Sequence, residues 1–290
     1  MKRLTELSAQ DRLHLSSSSI AICGLARNCA RSLPENIKFI ERLRGLFADS
    51  VVVVVENDST DITRMLLDQW ANQSNGVDII DGDKERVKHV TSNPNVNPYY
   101  SRSRVTRLAH FRNQYLSKIF GSGKSFDYLL VIDWDVDKIS WDGVIDSFIK
   151  RNHWDIVTAY GYSISPKLTE RYYDTYALVF LGDELKPQTE KSIKLLQHNS
   201  NLKRKQHEML NVYSAFGGFA IYKFSAIQDL FYGVLDNQDS RVEVRCEHFS
   251  LFQAIHEKIK DVRVLVNPSM RLRFDSLSNI LLRKFSDIFN

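Results

Sequence analysis

Residues 129–143 read "LLVIDWDVDKISWDG". Four aliphatic residues lead into Asp133, Asp135 and Asp137, set at a spacing of two. The aliphatic run predicts a buried strand. Carboxylates crowded at its end repel one another unless something positive lies among them. The same design recurs upstream. Five valines, 51–55, are followed by "ENDSTD" at 56–61. An unbroken apolar strand of this kind is covered on both faces, as in parallel sheets.

Working outward, strands are predicted at 20–25, 76–81, 127–132 and 155–159. Between them, helical spacing of apolar residues marks 36–48, 61–73, 104–120 and 142–151. Ser59 or Thr60 is expected to cap the second of these helices. Alternating strand and helix up to about residue 160 predicts an α/β fold, with a doubly wound, mostly parallel sheet flanked by helices. Such sheets bind ligands at the carboxyl ends of their strands, where "ENDSTD" and "DWDVD" both fall. The second half is less regular. Strand-like stretches are expected at 172–181, at 214–223 around a glycine pair, and at 262–268. A helix is expected over 247–259, and 275–289 is amphipathic. The polar stretch 186–211, with "LKRKQH" at 202–207, reads as an exposed helix or loop.

The chain has 290 residues, 43% hydrophobic and 26% charged, with a net charge of +4. That is enough material for a core without a structural metal or disulfide. The near-balanced charge and the lack of a binding motif argue against nucleic acid as a partner. No apolar run reaches the roughly 18 residues of a membrane span. The N-terminus lacks the apolar stretch of a signal peptide. Three cysteines without CxxC spacing suggest a reducing compartment. A cytoplasmic protein is the expectation.

Strand-end carboxylates suit a hard divalent cation. Asp133, Asp135 and Asp137 could hold one that carries a diphosphate. The plainer reading is a set of loop aspartates, one of them capping the 142–151 helix. On the 104–120 helix, Arg112 falls in the middle of the apolar face, with Arg104 and Arg107 at its edge. A buried arginine needs an anionic partner, either a phosphate or a strand-end aspartate. His248 projects from the apolar face of the 247–259 helix, just after Glu247. It reads as a packed histidine or as a metal ligand beside a general base. Asp183 and Glu184 are the next candidates for that base.

Together these segments resemble a GT-A glycosyltransferase. The strand followed by "ARN" (26–28), "VVVVVENDSTD" (51–61), "RLAHFRN" (107–113), "VIDWDVD" (131–137), "FGGFAIYK" (216–223) and "CEHFSLF" (246–252) carry the likeness over about residues 20–270. "ENDSTD" with "YYDTYAL" is similar to the fungal α-1,3-mannosyltransferase group. The resemblance implies a nucleotide-sugar-binding half, 20–160, and an acceptor-binding half, 161–270, of one domain, followed by a tail, 271–290. It implies a nucleotide-sugar donor held by Arg27, Glu56, Asp58, Arg107, Asp133 and Trp134. It implies Mn²⁺ or Mg²⁺ on Asp135, Asp137 and His248. Glu247 and Arg112 would be catalytic, and Gly217 and Gly218 would face a glycan or lipid-linked acceptor in polysaccharide biosynthesis. Many inverting members carry Glu-Asp or Asp-Asp where this chain has Glu247-His248. The base and the stereochemical outcome therefore stay open.

Two other readings compete. A glycoside hydrolase would use a carboxylate pair, but three aspartates within five residues are too clustered to flank a sugar. A non-catalytic nucleotide- or sugar-binding protein on the same fold differs only in lacking turnover. The tail could pack on the domain or on a second copy, or rest on a membrane.

Overall fold

The valine run becomes β2 (Asp49–Glu56), inside the sheet between β1 (Ser19–Ala26) and β3 (Val77–Asp81). The structure is a computed structural model that describes residues 7–83, 91–165, 169–197 and 208–274. Within these, β4 (Tyr128–Asp133), β5 (Ile156–Ile164), β6 (Glu170–Tyr172), β7 (Leu210–Asn211), β8 (Phe219–Lys223) and β9 (Val264–Arg273) complete one sheet. Its order is β3-β2-β1-β4-β8-β5-β9-β7, with β6 paired to β5. The β1–β2, β1–β4, β2–β3 and β5–β9 pairings are parallel and carry the longer ladders. β8 runs antiparallel to both β4 and β5. The expected α/β sheet, mostly parallel and flanked by helices, is what forms.

Strand alternation divides the core. Val53 and Val55 of β2, with Leu129 and Val131 of β4, pack on one face. They meet Phe111 and Tyr115 of α4 (Arg102–Gly121) and Leu251, Phe252 and Ile255 of α8 (Glu247–Lys258). Val52, Val54, Leu130 and Ile132 pack on the other face. Their partners come from α2 (Leu33–Arg44), α3 (Thr63–Gln73) and α5 (Trp141–Ile149). Shorter helices are α1 (Ala9–Ser16), α6 (Glu190–Leu196) and α7 (Phe224–Ile227). Burying one valine contributes about 1.5–3 kcal/mol. A charge in place of Val54 would cost more than any surface contact could return.

Several local expectations are corrected. α3 begins at Thr63, too late for Ser59 or Thr60 to cap it. Asp61 Oδ1 accepts from the Thr63 amide, while Ser59 and Thr60 are tied to Asn28. Of the tyrosine-rich stretch 172–181, only Tyr172, the last residue of β6, lies in a strand of the sheet. Ala177, Leu178 and Val179 are buried by packing, without a full ladder. β8 starts after the glycine pair because Gly217 and Gly218 take φ values of +68° and +86°. Ser140, not an aspartate, caps α5. The stretches 202–207 and 275–289 lie outside the described residues. Among the described residues, no helix is long and apolar enough to cross a membrane.

Candidate active site

β1 pairs with β2 on one side and β4 on the other, so the strand order reverses at β1. Outside the carboxyl ends of these strands lies a cavity of about 760 Å³. Arg27, Asn57, Asp133 and Asp135 line it from the strand ends. Arg104, Arg107 and Arg112 reach it from α4, and Glu247 and His248 from the first turn of α8.

Arg112 is 4% exposed and joins two elements. Its Nε donates to Glu247 Oε1 and its Nη2 to Asp133 Oδ1, each at 3.1 Å. Burial opposes its charge, but Asp133, Tyr115 and Glu247 outweigh that and raise its pKa well above the ordinary value. Burial pushes the Asp133 carboxyl up, with Arg112 pulling it back down. The anionic partner expected of Arg112 is therefore a strand-end aspartate together with Glu247. Arg27 and Arg107 stand exposed on the cavity wall, with no side-chain partner among the described residues. A basic rim thus faces an acidic floor.

The loop after β4 is fixed from α2. Asn36, 3% exposed, donates from Nδ2 to the carbonyls of Trp134 (3.0 Å) and Val136 (2.9 Å). Ser32 Oγ donates to the Trp134 carbonyl at 2.7 Å. This framework helps to keep Asp133 and Asp135 turned into the cavity.

Several expected site residues lie elsewhere. Trp134 is fully buried on the opposite face of the sheet, against Trp70 at 5.4 Å. Alternation from Leu130 and Ile132 carries it there. Glu56 follows Val52 and Val54 to that same face, where its Oε1 accepts from the Ser59 amide. Asp58 is exposed at φ +56° and lies off the cavity wall, and Asn57 between them lines it. Asp137 is engaged by Arg273, which donates from Nη2 to Oδ2 at 2.6 Å while the two backbones pair. Asp183 pairs with Lys186, and Glu184 lines a separate cavity.

Among the described residues, no group of three or more His, Cys, Asp or Glu side chains gathers at metal-binding spacing. The full set Asp135, Asp137 and His248 is therefore not assembled. What remains still suits a magnesium-like ion, which binds through one or two protein ligands plus substrate phosphates. His248 is 2% exposed and stacked on Phe216 at 3.9 Å, and neither ring nitrogen has a hydrogen-bond partner among the described residues. Burial and then Arg112 push its pKa well below the ordinary value. It stays neutral, with a lone pair to offer. Asp135 supplies a carboxylate in the same cavity.

Sequence comparison matches residues 20–263 to the family described as Cryptococcal mannosyltransferase 1. The chain belongs to this family. It is a glycosyltransferase. No curated protein matches the sequence. Among solved structures, the mannosyltransferase PcManGT of Pyrobaculum calidifontis, in complex with GDP-Man and Mn²⁺, is 12% identical. The match covers 89% of this chain and 56% of that one, with a TM-score of 0.49. M. tuberculosis glucosyl-3-phosphoglycerate synthase is 12% identical over 96% of this chain and 81% of its own, with a TM-score of 0.46. S. aureus TarS 1-349 is 14% identical over 88% and 60%, with a TM-score of 0.43.

One residue of this glycosyltransferase's cavity went unread in the sequence. Asp174 follows β6 and lines the cavity, and its Oδ2 accepts from the Gly217 amide at 3.0 Å. Burial raises its carboxyl to about 6, with Asp133 and Glu247 adding to the rise while Gly217 and Arg112 oppose it. Gly217 and Gly218 themselves do not line the cavity. A Cβ on Gly217 would meet the Ala159 carbonyl at 2.2 Å. The Asp133 amide donates to the Gly218 carbonyl at 3.0 Å. The pair thus sets the backbone that holds two cavity acids.

Proposed function

We propose that this glycosyltransferase moves a hexose from a nucleotide sugar to a glycan or lipid-linked glycan hydroxyl, with the help of Mn²⁺ or Mg²⁺. The observation that carries this is the joining of Asp133 to Glu247 through Arg112, in a cavity at the strand-order reversal. Asp135 and His248 would hold the metal, which supplies countercharge to the departing diphosphate. Arg27 and Arg107 suit the phosphates. Arg112 pairs with both Asp133 and Glu247 and fixes them, and Glu247 orients the acceptor side. The acceptor oxygen forms a bond to the anomeric carbon and gives its proton to Glu247 as the bond from that carbon to the diphosphate oxygen breaks. Its electron pair leaves with the nucleoside diphosphate. The family described as mannosyltransferases supports mannose as the sugar.

UDP-, GDP-, CMP- and dTDP-sugars, tested for donor hydrolysis with Mn²⁺ and with EDTA, test this reading. Hydrolysis of one donor class, abolished by EDTA, is expected. No turnover with any donor would favour a binding protein instead. If the acceptor is lipid-linked, 275–289 is the candidate membrane contact. Liposome flotation of the full chain against one ending at 274 tests that role.

A further inference from the structure

We infer that Tyr173 and Asp174 form the acceptor subsite, and that its occupant is a neutral hexose unit of a glycan. This rests on the glycosyltransferase reading above and names the acceptor side of the same cavity.

The two residues follow β6 and stand on the cavity wall that the strand ends do not supply. Phe274 stacks on the Tyr173 ring at 4.0 Å and 21°, backing one face. Even so, Tyr173 is 45% exposed; Tyr99, at 71%, is the other large exposed aromatic lining the cavity among the described residues, and it has no such ring behind it. An aromatic ring braced by Phe274 and partly open to the cavity suits the C–H face of a pyranose, because it is amphipathic and already ordered. Asp174 stands next to it in the chain. Its carboxylate is held by the Gly217 amide, and no cationic side chain pairs with it among the described residues. It differs in this from Asp133 and Glu247, both tied to Arg112. A half-buried acceptor group beside an aromatic face is what a sugar hydroxyl requires.

Charge argues against an anionic occupant. Asp174 is flanked by Asp133 at the end of β4 and Glu247 on α8, with Arg112 of α4 neutralising only part of the three. Burial is the main cause of the raised Asp174 carboxyl, and Asp133 and Glu247 add to it. The segment is also fixed in place. The Tyr173 amide donates to the Gly161 carbonyl at 3.0 Å, and Tyr176 Oη donates to the Val244 carbonyl at 2.5 Å. The demand for Gly217 follows from this arrangement, since the backbone that supplies the Asp174 hydrogen bond needs a left-handed residue pressed against β5. The expected acceptor role of the glycine pair is thereby carried through Asp174.

The test measures transfer from GDP-mannose, with Mn²⁺, to methyl α-mannoside and methyl α-glucoside. Tyr173→Ala, Tyr173→Phe and Asp174→Asn are compared with the wild type. The expected result is a rise of about tenfold or more in KM for the glycoside in Tyr173→Ala, as for a lost stacking contact. Tyr173→Phe stays near wild type, and Asp174→Asn loses transfer while GDP binding by calorimetry is kept. Equal loss of GDP binding and of transfer would place the pair on the donor side and overturn the inference. So would a glycoside KM that none of the variants moves. A wild type that hydrolyses donor but transfers to neither glycoside also overturns it. A wild type that hydrolyses no donor in the four-nucleotide panel sinks the glycosyltransferase reading instead.

Discussion

Arg112 and Glu247 lie 135 residues apart in the chain and meet at 3.1 Å. The pair ties α4 to the first turn of α8, and the second arm of Arg112 ties both to the end of β4. Three elements that share no sequence neighbourhood are thus joined by one guanidinium.

Removing that guanidinium strands two carboxylates in a poorly solvated place. Arg112→Met should destabilise the fold by about 3–5 kcal/mol, as for other broken buried pairs. Adding Glu247→Gln should return part of the loss, giving a coupling of about 0.5–3 kcal/mol in a double-mutant cycle. Urea midpoints measure it. Strict additivity of the two changes would mean that the contact carries no energy.

Asn36 reaches no ligand, yet it holds the loop that presents Asp135. Asn36→Ala leaves the Val136 carbonyl without its Asn36 donor, at about 1–3 kcal/mol when buried, while Ser32 still reaches the Trp134 carbonyl. Donor KM should rise along with the loss of stability. A variant with a lower Tm but an unchanged donor KM would show that the loop keeps its place without Asn36.

Asp135 and Asp137 look alike in the sequence, and the structure separates them. Asp135→Asn should weaken the apparent Mn²⁺ affinity by about 10–100-fold or more, since even outer-shell changes have effects of that size. Asp137→Asn should leave Mn²⁺ half-saturation unchanged and lower Tm through the lost Arg273 pair. Metal titrations of donor hydrolysis distinguish the two. A shared loss of metal affinity would restore Asp137 as a ligand.

Asp174 also has a signature in stability. Its carboxyl ionises near 6 in the fold and near the ordinary value of 3.8 when unfolded. The native state therefore holds the extra proton between those values. Its contribution to stability is full below the lower one and is lost as pH rises through the upper one. In EDTA, Asp174→Asn should gain stability relative to wild type as pH rises from 4 to 6.5. Urea midpoints that run parallel over this range would contradict the raised carboxyl.

Much of the sheet was legible because its strands are so apolar that only a two-sided cover suits them. The central β2 and β4 follow from Val51–Val55 and Leu129–Ile132 alone. Arg112 was legible for the same reason, as a charge on an apolar helix face. Trp134 and Glu56 were misplaced because proximity to the strand end was given more weight than parity. Counting by two from Ile132 and Val54 would have sent both to the far face. Asp174 was hidden inside a run that looked like a strand. Its burial depends on Gly217, 43 residues later, and no local pattern records such a contact.

The central claim is a metal-assisted diphosphate site at Asp133, Asp135 and His248. Calorimetric titration of GDP and of UDP, with Mn²⁺ and then with EDTA, tests it most directly. The account predicts saturable binding of one nucleotide with Mn²⁺ that disappears in EDTA and in Asp135→Asn. Equal affinity in EDTA and in Asp135→Asn would contradict it.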